Sequence, residues 1–120
     1  MNTPQWIEKA FQTIDSKDAK GFARLFDDQG EFRFGNAPSV LGPEAIEKAV
    51  AGFFGSIRGL SHRLIQTWEG EGSWVVEGEV TYTRLNGSVL TVPFCDVFRM
   101  KNGKVKAWLI FMDISTLYSQ

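Results

Sequence analysis

Apolar positions recur at helical spacing in the first half of the chain and at period two beyond Gly59. Trp6, Ile7, Ala10, Phe11 and Ile14 predict a first helix, with Thr3 as N-cap and Pro4 at its first position. Asp15-Ser16-Lys17 breaks the pattern, and Asp18 can start a short second helix carrying Phe22, Ala23, Leu25 and Phe26. Asp27-Asp28-Gln29-Gly30 reads as a turn, Glu31 to Phe34 as a brief strand, and Gly35 to Ser39 as a loop. Gly42-Pro43-Glu44 opens the clearest helix, whose Ile46, Ala49, Val50, Phe53, Phe54 and Ile57 share one face until Arg58-Gly59 ends it. Strands are predicted over 61–69, 74–84, 88–100 and 104–113. Glu69-Gly70-Glu71-Gly72, Asn86-Gly87 and Asn102-Gly103 separate them, Asn-Gly being a strong hairpin signal. Three helices and a small strand followed by an antiparallel meander predict an α+β fold with the helices on one sheet face.

A chain of 120 residues is expected to form one domain over 1–120, burying about two-thirds of the surface its unfolded form exposes. Net charge is −1 with Lys and Arg scattered, which argues against a nucleic-acid partner. One cysteine, Cys95, excludes an internal disulfide, and no apolar run reaches the ~18 residues a membrane span needs. A cytoplasmic protein without a membrane partner is the expectation. Ten Phe and four Trp are more large rings than a minimal core requires, which suggests a lined cavity or an apolar face kept for a second subunit.

The residue with the most chemical content is Asp96. In the strand run Val89 to Met100 it shares its face with Leu90, Val92, Phe94, Phe98 and Met100. A carboxylate on an apolar face is costly unless it is neutral or hydrogen-bonded. Asp96 therefore marks either a pocket with a polar handle or a structural carboxyl tied to a neighbouring group. His62, the only histidine, could shuttle protons near neutrality or sit structurally at a strand edge. No second His or Cys lies at ligand spacing, so no metal site is expected. No glycine-rich phosphate loop follows a strand, so no nucleotide cofactor is expected either. Cys95 lacks a partnering base and reads as a packing or interface residue, and Asp113 as a strand-end cap or a subunit contact.

Several segments resemble the nuclear transport factor 2-like superfamily: Asp15-Ser16-Lys17-Asp18, Leu25-Phe26-Asp27-Asp28, Leu41-Gly42-Pro43-Glu44-Ala45-Ile46, Gly87 to Pro93, Asp96-Val97-Phe98-Arg99 and Gly103-Lys104-Val105. Ketosteroid isomerases, limonene epoxide hydrolases and SnoaL-like polyketide cyclases belong to it. The resemblance spans residues 4 to 118 and implies a cystatin-like cone, in which a strongly curved antiparallel sheet and three N-terminal helices enclose an apolar cavity. Ketosteroid isomerases use a Tyr on the first helix, an Asp base on the first strand and a protonated Asp within a motif like Asp96-Val97-Phe98-Arg99. Here Ala10 and Phe34 stand at the first two positions and only Asp96 remains. The epoxide hydrolase set fares no better, with Phe32, Phe34, Glu79, Thr81 and Ile110 at its positions.

The resemblance implies a pocket lined by Ala10, Ile14, Phe26, Phe32, Phe34 and Phe53 from the N-terminal half. From the later strands it implies Thr81, Phe94, Phe98, Trp108, Ile110 and Met112. In its register Glu79, Thr81 and Thr83 face inward, which makes Glu79 a candidate base beside Asp96. The simple amphipathic reading instead puts Val76, Val80 and Tyr82 in the core and the glutamates in water. The family register also leaves Val80, Tyr82, Pro93, Cys95 and Val97 on an outer face suited to a homodimer. Three readings stay open. One is a cofactor-independent isomerase, cyclase or lyase using Asp96, Glu79 and His62. The others are a non-catalytic binder of a small hydrophobic ligand and a dimerisation module.

Overall fold

The computed structural model describes residues 3–119. Helix α1 runs over Gln5–Asp15, α2 over Ala19–Ala23 and α3 over Pro43–Gly55. The strands are β1 (Phe26–Phe34), β2 (Val40–Leu41), β3 (Gly59–Gly70), β4 (Ser73–Thr83), β5 (Val89–Lys101) and β6 (Lys104–Phe111). They form one six-stranded sheet in the order β2-β1-β6-β5-β4-β3. The meander β3 to β6 is antiparallel as the Asn-Gly signals predict. The β5–β6 turn has both central residues at positive φ, Asn102 at 52° and Gly103 at 77°, matching the twist of the flanking strands.

The sheet is mixed, where a purely antiparallel one was expected. β1 runs parallel to β6, because α3 and the meander together provide the long crossover that a parallel pair needs. β1 is also longer than predicted, and β2 lies where the sequence predicts no element. The turn residues Asp27 to Gly30 lie inside β1 as an irregularity: Phe26 and Glu31 pair with Val105 and Ala107, only two positions apart on β6. Gly30 is required there, since a Cβ would come within 2.9 Å of the Asp27 carbonyl oxygen. At the N-terminus Pro4, extended at φ −57° and ψ 144°, takes the cap position expected of Thr3, and α1 starts one residue later.

Helix α1 buries Ile7, Ala10, Phe11 and Ile14 and packs on β3, while α3 packs on α2, β1 and β2. Asp18 caps α2 by accepting from the Gly21 amide at 2.9 Å. Bulges between Leu64 and Gln66 and between Arg99 and Met100 bend the sheet around these helices. On the inner face the residues align in rows across the strands. One row is Trp74, Phe98, Trp108 and Phe32; the next is Val76, Asp96, Ile110 and Phe34. In the row beyond, Gly78 faces Phe94, whose ring lies over the glycine and reaches Phe11 and His62.

Gly78 thus makes the room that Phe94 fills. A Cβ at this position would sit 2.5 Å from the Arg63 carbonyl oxygen and 2.7 Å from the Phe94 ring. Gly78→Ala should destabilise the fold by about 1–3 kcal/mol, the usual cost of overpacking, and thermal unfolding checks this. An unchanged midpoint would show that Phe94 does not depend on the gap.

Candidate functional site

Asp96 is fully buried. Val76 and Ile110 flank it across the sheet, and Phe94 and Phe98 lie on either side along its own strand face. Its Oδ2 accepts from the Trp108 indole N–H at 3.0 Å. Its Oδ1 is buried and has no hydrogen-bond partner among the described residues. Ionisation here would have to overcome a desolvation cost of several kcal/mol with one hydrogen bond worth about 1.5–3 kcal/mol. Desolvation wins. Burial pushes the carboxyl up to about 8, only partly opposed by the Trp108 bond. At neutral pH Asp96 is mainly a carboxylic acid. Because an indole can only donate, the acid's proton belongs on Oδ1, the oxygen without a partner.

The space beside Asp96 is a cavity of about 200 Å³. Phe32 and Phe34 from β1, Val50, Phe53 and Phe54 from α3, and Phe94 from β5 supply most of its wall. Ile14, Ile110 and Met112 extend it, and Ala37, Pro38 and Val40 lie at the side where the loop after β1 returns. Besides Asp96, its polar side chains are His62 and Tyr82. Tyr82 donates only to the weak acceptor Met112 Sδ at 3.5 Å, and its phenol is held well above the ordinary range, by burial first and by the Asp96 charge second.

His62 reaches the cavity from β3 and is locked on its far side by Asp15, the last residue of α1. Asp15 Oδ1 lies 2.5 Å from the His62 ring Nδ1, and Oδ2 accepts from the His62 backbone N–H at 3.0 Å. The rings of Phe11 and Phe94 pack against the imidazole, with centroids 5.0 and 5.3 Å away. The sequence presents Asp15 as a helix breaker and as part of the segment Asp15-Ser16-Lys17-Asp18 that carries the resemblance, with no site role. Its signal, a carboxylate at a helix end, cannot be connected to a histidine 47 positions away until the sheet is folded.

Of the other expected residues, Ile14, Phe32, Phe34, Phe53, Phe94, Ile110 and Met112 line the cavity. Ala10, Phe26, Phe98 and Trp108 belong to the packed core behind it: Phe98 and Trp108 lie 4.3 Å apart, and Trp108 serves Asp96 rather than the open space. Glu79 and Thr81 need correction. The β4 register buries Val76, Val80 and Tyr82 and turns Glu79 and Thr81 to the outer face. There Glu79 pairs with Arg63 at 2.7 Å, and the Thr81 and Thr91 hydroxyls meet at 2.8 Å. The Glu79–Arg63 pair is solvated and adds little stability. Hydrophobic alternation outweighs the family register on this strand, because burying Val76, Val80 and Tyr82 removes far more apolar surface than the opposite face would. Val80 and Tyr82 accordingly leave the outer apolar set, while Pro93, Cys95 and Val97 keep their place in it. Burial first, then Asp96 and Glu77, raise the Cys95 thiol, consistent with a packing role. Asp113 accepts from the Ser115 amide at 2.8 Å, which holds its carboxyl below the usual range; it lies past the end of β6 at Phe111, and the bond belongs to the segment after the strand.

The model of the SnoaL-like domain family matches residues 7–108. Among solved structures, a protein of ketosteroid isomerase-like fold from Catenulispora acidiphila, in complex with trimethylamine, superposes with a TM-score of 0.89 at 13% identity. The match covers 99% of this chain and 93% of that one. A protein from Jannaschia sp. CCS1 described as a SnoaL-like polyketide cyclase superposes at 0.76 with 17% identity, over 98% and 93% of the two chains. An LEH-like epoxide hydrolase from M. tuberculosis gives 0.77 at 12% identity, over 91% and 80%. At these identities the likeness is one of fold. No curated protein matches the chain by sequence.

The raised acid has a consequence for stability. Unfolded, Asp96 titrates near 3.8; folded, near 8. As pH rises through this window the unfolded chain releases the proton that the native state keeps. Its stabilising contribution is therefore complete below about pH 4 and is lost progressively up to about pH 8, with a limiting slope of about 1.4 kcal/mol per pH unit. Denaturant unfolding of the wild type and Asp96→Asn from pH 5 to 8 should show the difference between them shifting in favour of the variant as pH rises. A difference that does not vary with pH would mean that Asp96 ionises normally.

Proposed function

The chain belongs to the SnoaL-like domain family, and on that premise we propose that it binds a small, neutral, largely apolar carbonyl compound in the cavity beside Asp96. The reading includes metal- and cofactor-independent acid-base chemistry of the isomerase, cyclase or lyase type. The observation that carries it is the Asp96 Oδ1, a buried polar atom with no partner among the described residues, on a side chain that lines the cavity. Native proteins seldom leave such an atom unpaired, and a ligand carbonyl oxygen would accept its proton. The aromatic wall suits a flat hydrocarbon body, and the concentration of polarity in Asp96, His62 and Tyr82 suits a ligand with few oxygens. A protonated acid in a dry site stabilises a developing enolate as well as it binds a ground-state carbonyl, which joins binding to catalysis. Binding without turnover is the second reading, favoured by Ala10 and Phe34 at positions where ketosteroid isomerases place catalytic groups.

A second copy of the chain is proposed to cover the outer sheet face. Trp68, Val75, Val97 and Leu109 form an apolar row across β3 to β6 there, with Phe111 exposed beside it. Sedimentation should give twice the 13.5 kDa mass of one chain, and Val97→Glu should return it to a single mass. A wild type that stays at 13.5 kDa on concentration would contradict the pairing.

The pocket reading is tested with 1-indanone, a small flat ketone, followed by protein NMR. Shifts should concentrate at Phe34, Phe53, Phe94 and Ile110. Asp96→Leu should weaken binding about tenfold, since it removes the hydrogen bond to the carbonyl, while Asp96→Asn, which still donates, should weaken it less. Shifts confined to the outer sheet face would sink the assignment.

A further inference from the structure

Asp15 lies outside the set that prompted the pocket reading, and its hydrogen-bonded pair with His62 carries an assignment of its own. We infer that His62 is the base that works opposite Asp96, and that Asp15 is the residue that positions it. The inference rests on the pocket reading for its substrate class, neutral carbonyl compounds bearing a hydrogen on the carbon next to the carbonyl.

The argument starts from Asp15. A carboxylate at the last residue of α1 faces the negative end of the helix dipole, an unfavourable place unless N–H groups compensate. Both oxygens are compensated, and by one residue: Oδ2 by the His62 backbone N–H and Oδ1 by the ring Nδ1. An ionised carboxylate only accepts, so Nδ1 must carry the hydrogen. Neutral His62 is then confined to one tautomer, with Nε2 bare. Backbone and ring are gripped together by the two oxygens of one carboxylate, and the Phe11 and Phe94 rings pack against the imidazole. A mere tether between α1 and β3 would need only the backbone bond. Engagement of Nδ1 leaves Nε2 as the ring nitrogen that can serve as a base, on a residue that lines the cavity.

The reaction balances without any further component. Nε2 takes a proton from the carbon beside the carbonyl. The C–H electron pair becomes the C=C bond of an enol, and the carbonyl oxygen takes the Asp96 proton. His62 is left as an imidazolium against the Asp15 carboxylate, and Asp96 as a carboxylate bonded to Trp108. Return of a proton to the same carbon, or to another, regenerates both groups and gives exchange or isomerisation. The pair thus takes over the role that Glu79, on the outer face, cannot fill.

Two measurements test this separately. Nitrogen-15 NMR of the His62 ring in the wild type, with no ligand, should show a protonated Nδ1 and an unprotonated Nε2. An Nε2–H tautomer overturns the inference whether or not any ligand binds. Deuterium incorporation into 1-indanone in heavy water should run faster with the wild type than in buffer, and the acceleration should vanish in His62→Gln. In Asp15→Asn it should fall by about 10²–10⁴-fold, with 1-indanone still bound and the ring tautomer released. If 1-indanone binds at the cavity and exchange is not accelerated, or Asp15→Asn exchanges as fast as the wild type, the base assignment fails while the pocket reading stands. If 1-indanone does not bind, the pocket reading fails, and the tautomer alone decides whether Asp15 positions His62. Should Asp15→Asn not fold, Asp15→Glu replaces it, and the wild-type tautomer needs no variant.

Discussion

The Trp108 indole donating to Asp96 is the interaction on which the rest of the site depends. It satisfies one oxygen of a carboxyl that the sheet has removed from water, and the indole that does so is not part of the cavity lining. One bond of this kind is enough to hold the side chain in place and too weak to keep it ionised. The outcome is a neutral acid with a fixed proton-bearing oxygen, set at the wall of an apolar space. Without the indole both oxygens would be orphaned; with a second donor the acid would lose its free proton.

The fold supplies that arrangement through register more than through any loop. Asp96 and Ile110 pair directly across β5 and β6, which puts Trp108 one row away, at diagonal reach. Phe98 and Phe11 pack on the indole and keep it turned toward the acid. One row in the other direction, Gly78 lets the Phe94 ring lie flat against the sheet and brace His62. Asp96 and His62 are therefore held by regular strands, and the mobile parts of a small fold do not have to place them.

Much of this was legible in the chain. The position of Asp96 follows from period-two alternation alone, since Phe94 and Phe98 fix which face is inner. The helices follow from Pro4, Asp18 and Pro43 and from the spacing of Ile46, Val50 and Phe54, and the meander from its Asn-Gly turns. Glu79 shows where resemblance misled: alternation of Val76, Val80 and Tyr82 already pointed inward, and the register borrowed from the family inverted it. β1 was cut short because Asp27 to Gly30 has the composition of a turn, and such composition serves equally well for an irregularity inside a strand. The partnership of Asp15 with His62 and that of Trp108 with Asp96 could not be read at all. Each is a tertiary contact between residues whose separate signals, a helix breaker and a core ring, are ordinary.

The account turns on Asp96 being uncharged at neutral pH, and its carboxyl carbon reports this directly. Carbon-13 NMR titration, with the Asp96 resonance identified by its absence in Asp96→Asn, should give a midpoint near 8. A midpoint near 4, the value of an ordinary solvated aspartate, would contradict the account, because an acid that ionises so readily cannot be the enclosed proton donor described above.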